Sequence, residues 1–308
     1  MLSHEEMIGL QAEQHYLIKP EEFKTKEEFV LHLIHSFAYE SVSSLSVGKK
    51  VLDFGCNTGY GTNIVNVSCE YICGVDVSAE AIDEAKNKYK KKNIDFKVID
   101  GKSLPFADKY FELIVSFQVL EHIVDHKAYI AEIRRTLVED DGVVVFTTPN
   151  KDMRLDEGMK PWNEFHVREY THHELQELLS TFFPFVKVLG LFAKDELYKI
   201  EHDRLTKAKL DAKNSNEKNL DTSLSIRDLV KKIIPNSFLK LLRKQLDRLL
   251  LEKNQSKIKS LDSDFIKSHS TSDLYYSDTN IFKSLDLIAI CADNQSSLDD
   301  SINLLLKK

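Results

Sequence analysis

The chain is short of the residues that build covalent or repetitive frameworks: its 308 residues include 4 cysteines, 6 prolines, 10 glycines and 1 tryptophan. Cys56, Cys69, Cys73 and Cys291 are too few and too unevenly spaced for a disulfide scaffold or a four-thiolate zinc site, and they read as reduced thiols. So little glycine and proline excludes collagen-like and low-complexity classes. Long hydrophobic runs are missing as well. No stretch approaches the roughly 20 apolar residues that span a bilayer, and the N-terminal MLSHEEMIGL is acidic where a signal peptide is basic and then apolar. The expectation is a cytoplasmic protein whose mature form is the whole chain. Positive charge is also scarce, with 42 Lys/Arg against 49 Asp/Glu and a net charge of −7. A broad phosphate-binding surface is thereby disfavoured, and nucleic acid is not expected as a partner.

What the chain does have is enough apolar residue, 42%, to fill a large core. Thr25 followed by Glu28 reads as a capping box, and Phe29, Val30, Leu33, Ile34 and Phe37 then repeat at helical spacing. From Lys50 onward, short apolar runs alternate with helical patterns: KVLDF, YICGVDV, IDFKVI, FELIVSF, GVVVF, FVKVLG and LDLIAIC imply seven strands. AEAIDEAKNKY and KAYIAEIRRTL are long enough to be crossover helices, the mark of a parallel sheet covered on both faces. A second capping box, Thr171 with Glu174, opens a helix that Pro184 ends. The predicted class is therefore α/β: a doubly wound, mostly parallel seven-stranded Rossmann-like sheet with a helical insertion between the last two strands. The predicted division is an N-terminal helical cap over 1–44, the sheet domain over 45–190, a helical insertion over 191–284, and the last strand with its tail over 285–308. Inside the insertion, 225–260 holds ten Lys/Arg against three Asp/Glu, on two amphipathic patterns broken at Pro235. Such helices either pack on the parent domain or a twin subunit, giving a homodimer, or dock peripherally on a membrane surface.

VLDFGCNTGYGT, residues 51 to 62, is the strongest motif. An apolar strand ends in Asp53, and Gly55, Gly59 and Gly61 lead into a helix. Glycine is needed where the backbone bends sharply against a ligand, and the helix that follows offers N–H groups to an anionic end. The spacing fits neither GxGxxG nor the phosphate loop GxxxxGK[ST]. The second strand closes at Asp76 in GVDVS, placed to accept from both hydroxyls of a ribose, and the third at Asp100–Gly101, beside the first two strand ends. A nucleoside is the implied ligand.

With FELIVSFQVLEHI and GVVVFTTPN, this ordered series resembles the class I S-adenosylmethionine-dependent methyltransferases over roughly residues 45 to 190. The resemblance implies S-adenosyl-L-methionine as cofactor. It assigns the amino-acid end to Asp53, Gly55 and Gly59 with Cys56 in the turn, the ribose to Asp76 with Val77 following it, and the adenine to Asp100 and Gly101. Ser116 and Phe117, from a fourth-strand segment reaching Gln118, are assigned beside the methyl donor. Asn57 stands where the family has its middle glycine, and Asn tolerates the positive φ that such a turn requires. WNEFHVREYT, HYLIKP and the large insertion further resemble methyltransferases encoded with bacterial surface-polysaccharide and O-antigen assembly genes. That second likeness implies a sugar or glycan acceptor, in some cases lipid-linked.

A hydroxyl acceptor must lose a proton, so a base near neutral pH is sought. His166, in the long loop after the fifth strand, is the first candidate and His122 the second, each with an alternative structural role. Tyr16, Trp162 and Tyr170 could wall the pocket. His122 and His126 are four apart, but the Glu of HExxH is missing at position 123, and no metal is expected. The function expected is O-methylation of a sugar or glycan intermediate of surface polysaccharide. Its alternatives are a small-molecule methyltransferase of the quinone or natural-product kind and a non-catalytic cofactor-binding scaffold.

Overall fold

The computed structural model describes residues 23–220 and 261–307. HYLIKP, Tyr16 and the basic stretch 225–260 lie outside the described residues. In chain order the elements are α1 (Lys26–Val42), β1 (Lys50–Phe54), α2 (Tyr60–Val65), β2 (Tyr71–Asp76), α3 (Ala79–Lys88), β3 (Ile94–Val98) and β4 (Leu113–Phe117). There follow α4 (His126–Thr136), β5 (Val143–Pro149), the single turn α5 (Lys151–Arg154), α6 (His172–Ser180) and β6 (Phe185–Ala193). The chain continues with α7 (Asp195–Leu220), α8 (Ser263–Ser268), β7 (Leu274–Ser277), β8 (Asp286–Ala292) and α9 (Gln295–Leu306).

One sheet runs in the order β3-β2-β1-β4-β5-β8-β6-β7. β3 to β5 are parallel neighbours, and β8 runs antiparallel between β5 and β6. All seven expected strands form, and β7 adds an eighth at the edge beyond β6. The predicted insertion is thus not wholly helical. LYYS alternates two buried with two less buried positions, a period-2 pattern too short to stand out in a polar segment. No helix among the described residues is long and apolar enough to cross a membrane.

The alternation of side chains along a strand sorts the core into two halves. Val51, Leu113, Val115, Val143 and Val145 face α1, α2 and α9, whereas Leu52, Ile114, Val144 and Phe146 face α4 and α6. Each central strand is buried at nearly every residue because both faces are covered. Helix starts follow the expected chemistry. Thr171 and Glu174 make a reciprocal capping box. At α1 the Thr25 hydroxyl accepts from Glu28 N, but the Glu28 carboxylate accepts from Lys24 N rather than from Thr25, so the box is displaced by one residue.

The chain turns back between β3 and β4, so β1 and β4, neighbours in the sheet, lead their loops in opposite directions at their carboxyl ends. The crevice at such a switch point is where open α/β sheets bind ligands.

Candidate active site

A cavity of about 1020 Å³ opens over this edge, walled by the loops after β1 to β4, by α1, and by the start of β8. Ligand pockets commonly run to ~300–1,000 Å³, so this one lies at the large end of that range. Of the residues expected to hold a cofactor, Gly55, Cys56, Asp76, Val77, Asp100, Gly101 and Phe117 line it. Asp53, Gly59 and Ser116 stand behind the wall instead. Asp53 is fully buried, accepting from Thr62 Oγ1 at 2.6 Å and from the Tyr39 hydroxyl at 3.3 Å; burial pushes its carboxyl up to about 7. It ties β1, α1 and α2 together beneath the turn. Gly59 caps α2 at φ +75°, with the Phe96 ring filling the place of a side chain. Ser116 points to the other face of the sheet, bonded to the Tyr129 hydroxyl at 2.8 Å, while its neighbour Phe117 reaches the cavity.

The turn after β1 is held by its backbone. Gly55 N and Cys56 N both donate to Val75 O, and Asn57 takes the positive φ expected of it, +46°, its side-chain oxygen accepting from Thr58 N. Gly55, at φ +87°, passes so close to Val119 that a Cβ would lie 2.3 Å from its Cγ2. Asp76 spans the gap between two loops: Oδ2 accepts from Asn57 N and Oδ1 from Ser78 N, each at 2.9 Å. A carboxylate has about four acceptor sites, so two remain for hydroxyls in the cavity. Burial raises the Asp76 carboxyl, against the pull of those N–H groups. Asp100 is exposed, and the backbone N–H groups of Ser103 and Lys102 hold its carboxyl below the usual range. Val77 and buried Ile99 give the cavity apolar surface beside it. A turn opened by glycine, a carboxylate with acceptor sites left over and an apolar platform fit an adenosyl ligand.

The two histidines considered separately in the sequence meet in space. Their ring centroids lie 4.8 Å apart, edge to face. His166 Nδ1 contacts Glu169 Oε1 at 2.6 Å, and Arg154 Nε donates to both Glu169 oxygens at 3.0 Å. Burial opposes ionisation of Glu169, but the His166 hydrogen bond and the Arg154 charge outweigh it and hold the carboxyl low. His122 Nδ1 bonds to Phe165 O at 3.0 Å, and Glu121, buried beside it, accepts from the Thr148 hydroxyl. Burial first, then the nearby Glu169 charge, push the Glu121 carboxyl up to about 8. The loop is strapped onto the 3-10 turn after β4 by Val167 N and Arg168 N, which both donate to Glu121 O. Of the proposed aromatic walls, Trp162 lies under Arg154 at 4.1 Å and Tyr170 is buried in the core; neither lines the cavity.

Sequence reasoning passed over Glu121, Arg154 and Glu169, although Glu169 follows His166 by three residues and Glu121 adjoins His122. It also passed over Asp286, which opens β8 at the cavity and accepts from Gln118 Nε2 at 3.1 Å. Burial holds that carboxyl well above the usual range.

Residues 24–182 match the family model described as a methyltransferase domain. A probable S-adenosylmethionine-dependent methyltransferase of Mycolicibacterium smegmatis is 30% identical over 159 residues, 51% of this chain and 61% of that protein. A ubiquinone biosynthesis O-methyltransferase of Coxiella burnetii is 29% identical over 128 residues, 40% of this chain and 54% of its own length. The chain thus spans less than two thirds of these relatives. The YcgJ protein of Bacillus subtilis is a similar solved structure, 17% identical, covering 85% of this chain and 99% of its own, with a TM-score of 0.48. The family model covers more than half of the chain, and its glycine turn, Asp76 and Asp100 stand on the strand ends where the cofactor motifs were expected: the chain belongs to the S-adenosylmethionine-dependent methyltransferase family.

Proposed function

We propose that this chain methylates a hydroxyl oxygen of a sugar or glycan intermediate. The observation that carries the reading is His166, whose Nδ1 is engaged by Glu169 while its ring lines the same cavity as the glycine turn. S-adenosylmethionine supplies an electrophilic methyl group on a sulfonium that leaves as a neutral thioether. Everything else falls to the protein. Gly55 and Cys56 give the backbone approach, Asp76 the ribose contacts, and Val77 with Ile99 the apolar base platform. Because an ionised carboxylate only accepts, Glu169 fixes the ring proton on Nδ1 and leaves the Nε2 lone pair to take the acceptor's O–H proton as oxygen attacks carbon. His122 packs edge-on and limits that ring's rotation. Positioning and exclusion of water supply the remainder of the barrier lowering. The surplus of Lys and Arg in 225–260 supports docking to a lipid-linked acceptor carrying phosphate, or to a second copy of the chain.

A second reading rests on the apolar part of the lining, to which Leu31, Ile34 and Ala38 of α1 and Leu191 and Leu287 contribute. That apolar surface fits a phenolic ring of the quinone type, and the Coxiella burnetii relative is named for such chemistry. Incubating the purified protein with methyl-labelled cofactor and either host glycan and lipid-linked glycan fractions or quinol extracts decides between them. Label in the glycan fraction supports the first reading, label in the quinol fraction the second. Label in neither, from protein that binds the cofactor, overturns hydroxyl methylation.

A further inference from the structure

Three side chains reach the cavity from two elements and form a donor set that proton transfer uses only in part. Glu121 and His122 belong to the short 3-10 turn Leu120–His122 after β4, and His166 to the loop strapped across it. One donor atom from each, an imidazole nitrogen or a carboxylate oxygen, lies within 4.8 Å of the other two. Both imidazoles are oriented from behind. Phe165 O and the Glu169 carboxylate are acceptors only, so their contacts of 3.0 and 2.6 Å put each ring proton on Nδ1 and each lone pair on Nε2. Metal-binding histidines share this arrangement, with the ligating nitrogen in front and the other N–H held by a carboxylate or carbonyl. Glu121 adds a buried carboxyl group. Its Oε2 is taken by the Thr148 hydroxyl, and its Oε1 lies 3.8 Å from His122 Nε2, beyond hydrogen-bond range.

We infer that Glu121, His122 and His166 are the protein ligands of a site for one divalent transition ion. The inference deepens the proposed function, since all three line the cavity and an ion there presents its open position to the acceptor. Two imidazoles and one carboxylate with vacant positions suit zinc, cobalt or iron(II) rather than magnesium, which prefers oxygen donors and keeps its waters. Bonds of about 2.0–2.2 Å bring donors to ~3–4 Å of one another, so the cluster closes by about an ångström through side-chain rotation. With the ion bound, His166 Nε2 is a ligand and no longer the base: an acceptor hydroxyl on the ion loses its proton to water, and the ion stabilises the oxygen anion, whose electron pair attacks the methyl carbon as the thioether leaves. The HxxxH pair considered in the sequence, His122 with His126, is not this site. His126 shares the segment, but His166 arrives from the far side of β5.

The test is direct binding to the full chain, stripped with chelator and then titrated with Co²⁺ under visible absorption, with Zn²⁺ and Mg²⁺ by equilibrium dialysis. Expected are one equivalent of Co²⁺ or Zn²⁺ per chain and no competition from Mg²⁺ at equal concentration. Glu121→Gln, His122→Gln and His166→Gln should each weaken Co²⁺ binding by about a hundredfold or more. Glu169→Gln, which removes only an outer partner, should weaken it about tenfold to a hundredfold. His126→Ala should leave it unchanged. Calorimetry with the cofactor on every variant separates lost ligation from lost folding. No stoichiometric ion on a chain that binds cofactor, or parent-like Co²⁺ binding in the three ligand variants, overturns the site while leaving the methyltransferase reading standing. Binding lost in His126→Ala but kept in His166→Gln would move the ion to the other pair and equally overturn it.

Discussion

Gly55→Ala is the sharpest probe of the cofactor cradle, because two separable costs fall on one methyl group. A non-glycine residue at φ +87° pays the left-handed penalty of about 1–2 kcal/mol. The new Cβ also lies 2.3 Å from Val119 Cγ2, and such overpacking costs about 1–3 kcal/mol. Together they predict a loss of about 2–5 kcal/mol, which for a domain of this size is a fall in melting temperature of roughly 4–10 °C. Val119→Ala removes the clashing carbon and leaves only Val119 Cβ, at 3.5 Å in ordinary contact. In that background Gly55→Ala should therefore cost only the conformational share, and the double-mutant cycle should show a coupling of about 1–3 kcal/mol. Thermal and urea melts of the four proteins measure it, and cofactor calorimetry should show weaker binding in Gly55→Ala as the turn shifts. Equal costs in both backgrounds would refute the contact. A Gly55→Ala protein with the parent's stability and cofactor affinity would refute the requirement for glycine altogether.

Asp76→Ala removes the carboxylate that accepts from Asn57 N and Ser78 N and that the proposed function assigns to the ribose, and the cofactor should bind about tenfold to a hundredfold more weakly by calorimetry; a change within twofold would count against the assignment. Arg154→Met strands the buried Glu169 carboxylate on His166 alone and should cost about 3 kcal/mol in a urea melt, the lower end for a broken buried pair because one partner remains. Asp53 gives a pH signature. Its folded carboxyl, raised to about 7, keeps a proton that the unfolded chain releases near pH 4, so its contribution to stability falls as pH rises between those values. Relative to the parent, Asp53→Asn should therefore gain on the order of 3 kcal/mol between pH 5 and pH 8, and a difference that is flat with pH would show that the carboxyl is not perturbed. Thr171→Ala should cost about 1 kcal/mol through loss of the α6 cap, read as a small drop in melting temperature with unchanged cofactor binding.

Most of the sheet was legible because its signals are local. KVLDF and GVVVF are apolar runs bounded by polar turns, and the β5 run continues through TTP because Thr147 pairs with β4 as well as β8 and Thr148 and Pro149 pair with β8, contacts with no local trace. β7 went unseen for the same reason. The turn after β1 was readable from its glycines, and Asp76 from its place at the end of β2, because both signals depend on neighbours in the chain. Asp53 and Ser116 were placed in the pocket because a strand-end position does not say which face the side chain takes, and burial behind Tyr39 and Tyr129 is a tertiary fact. The Arg154–Glu169–His166 group lies wholly after β5, but the meeting of His166 with Glu121 and His122 joins segments on either side of that strand. Spacing rules such as HExxH cannot report such a meeting, because they count along one helix.

β8 fills the slot between β5 and β6, so Val143 lies opposite Ala292 and Val186 opposite Cys291. During synthesis both older strands must wait, with bare ladder edges, until residues 286–292 emerge. A nascent chain halted before that point exposes two adhesive borders of valine and phenylalanine, the state in which edge-to-edge association and recruitment of a chaperone compete with folding. Asp286 closes the cavity and begins that final strand, so completion of the sheet and completion of the pocket are the same late event.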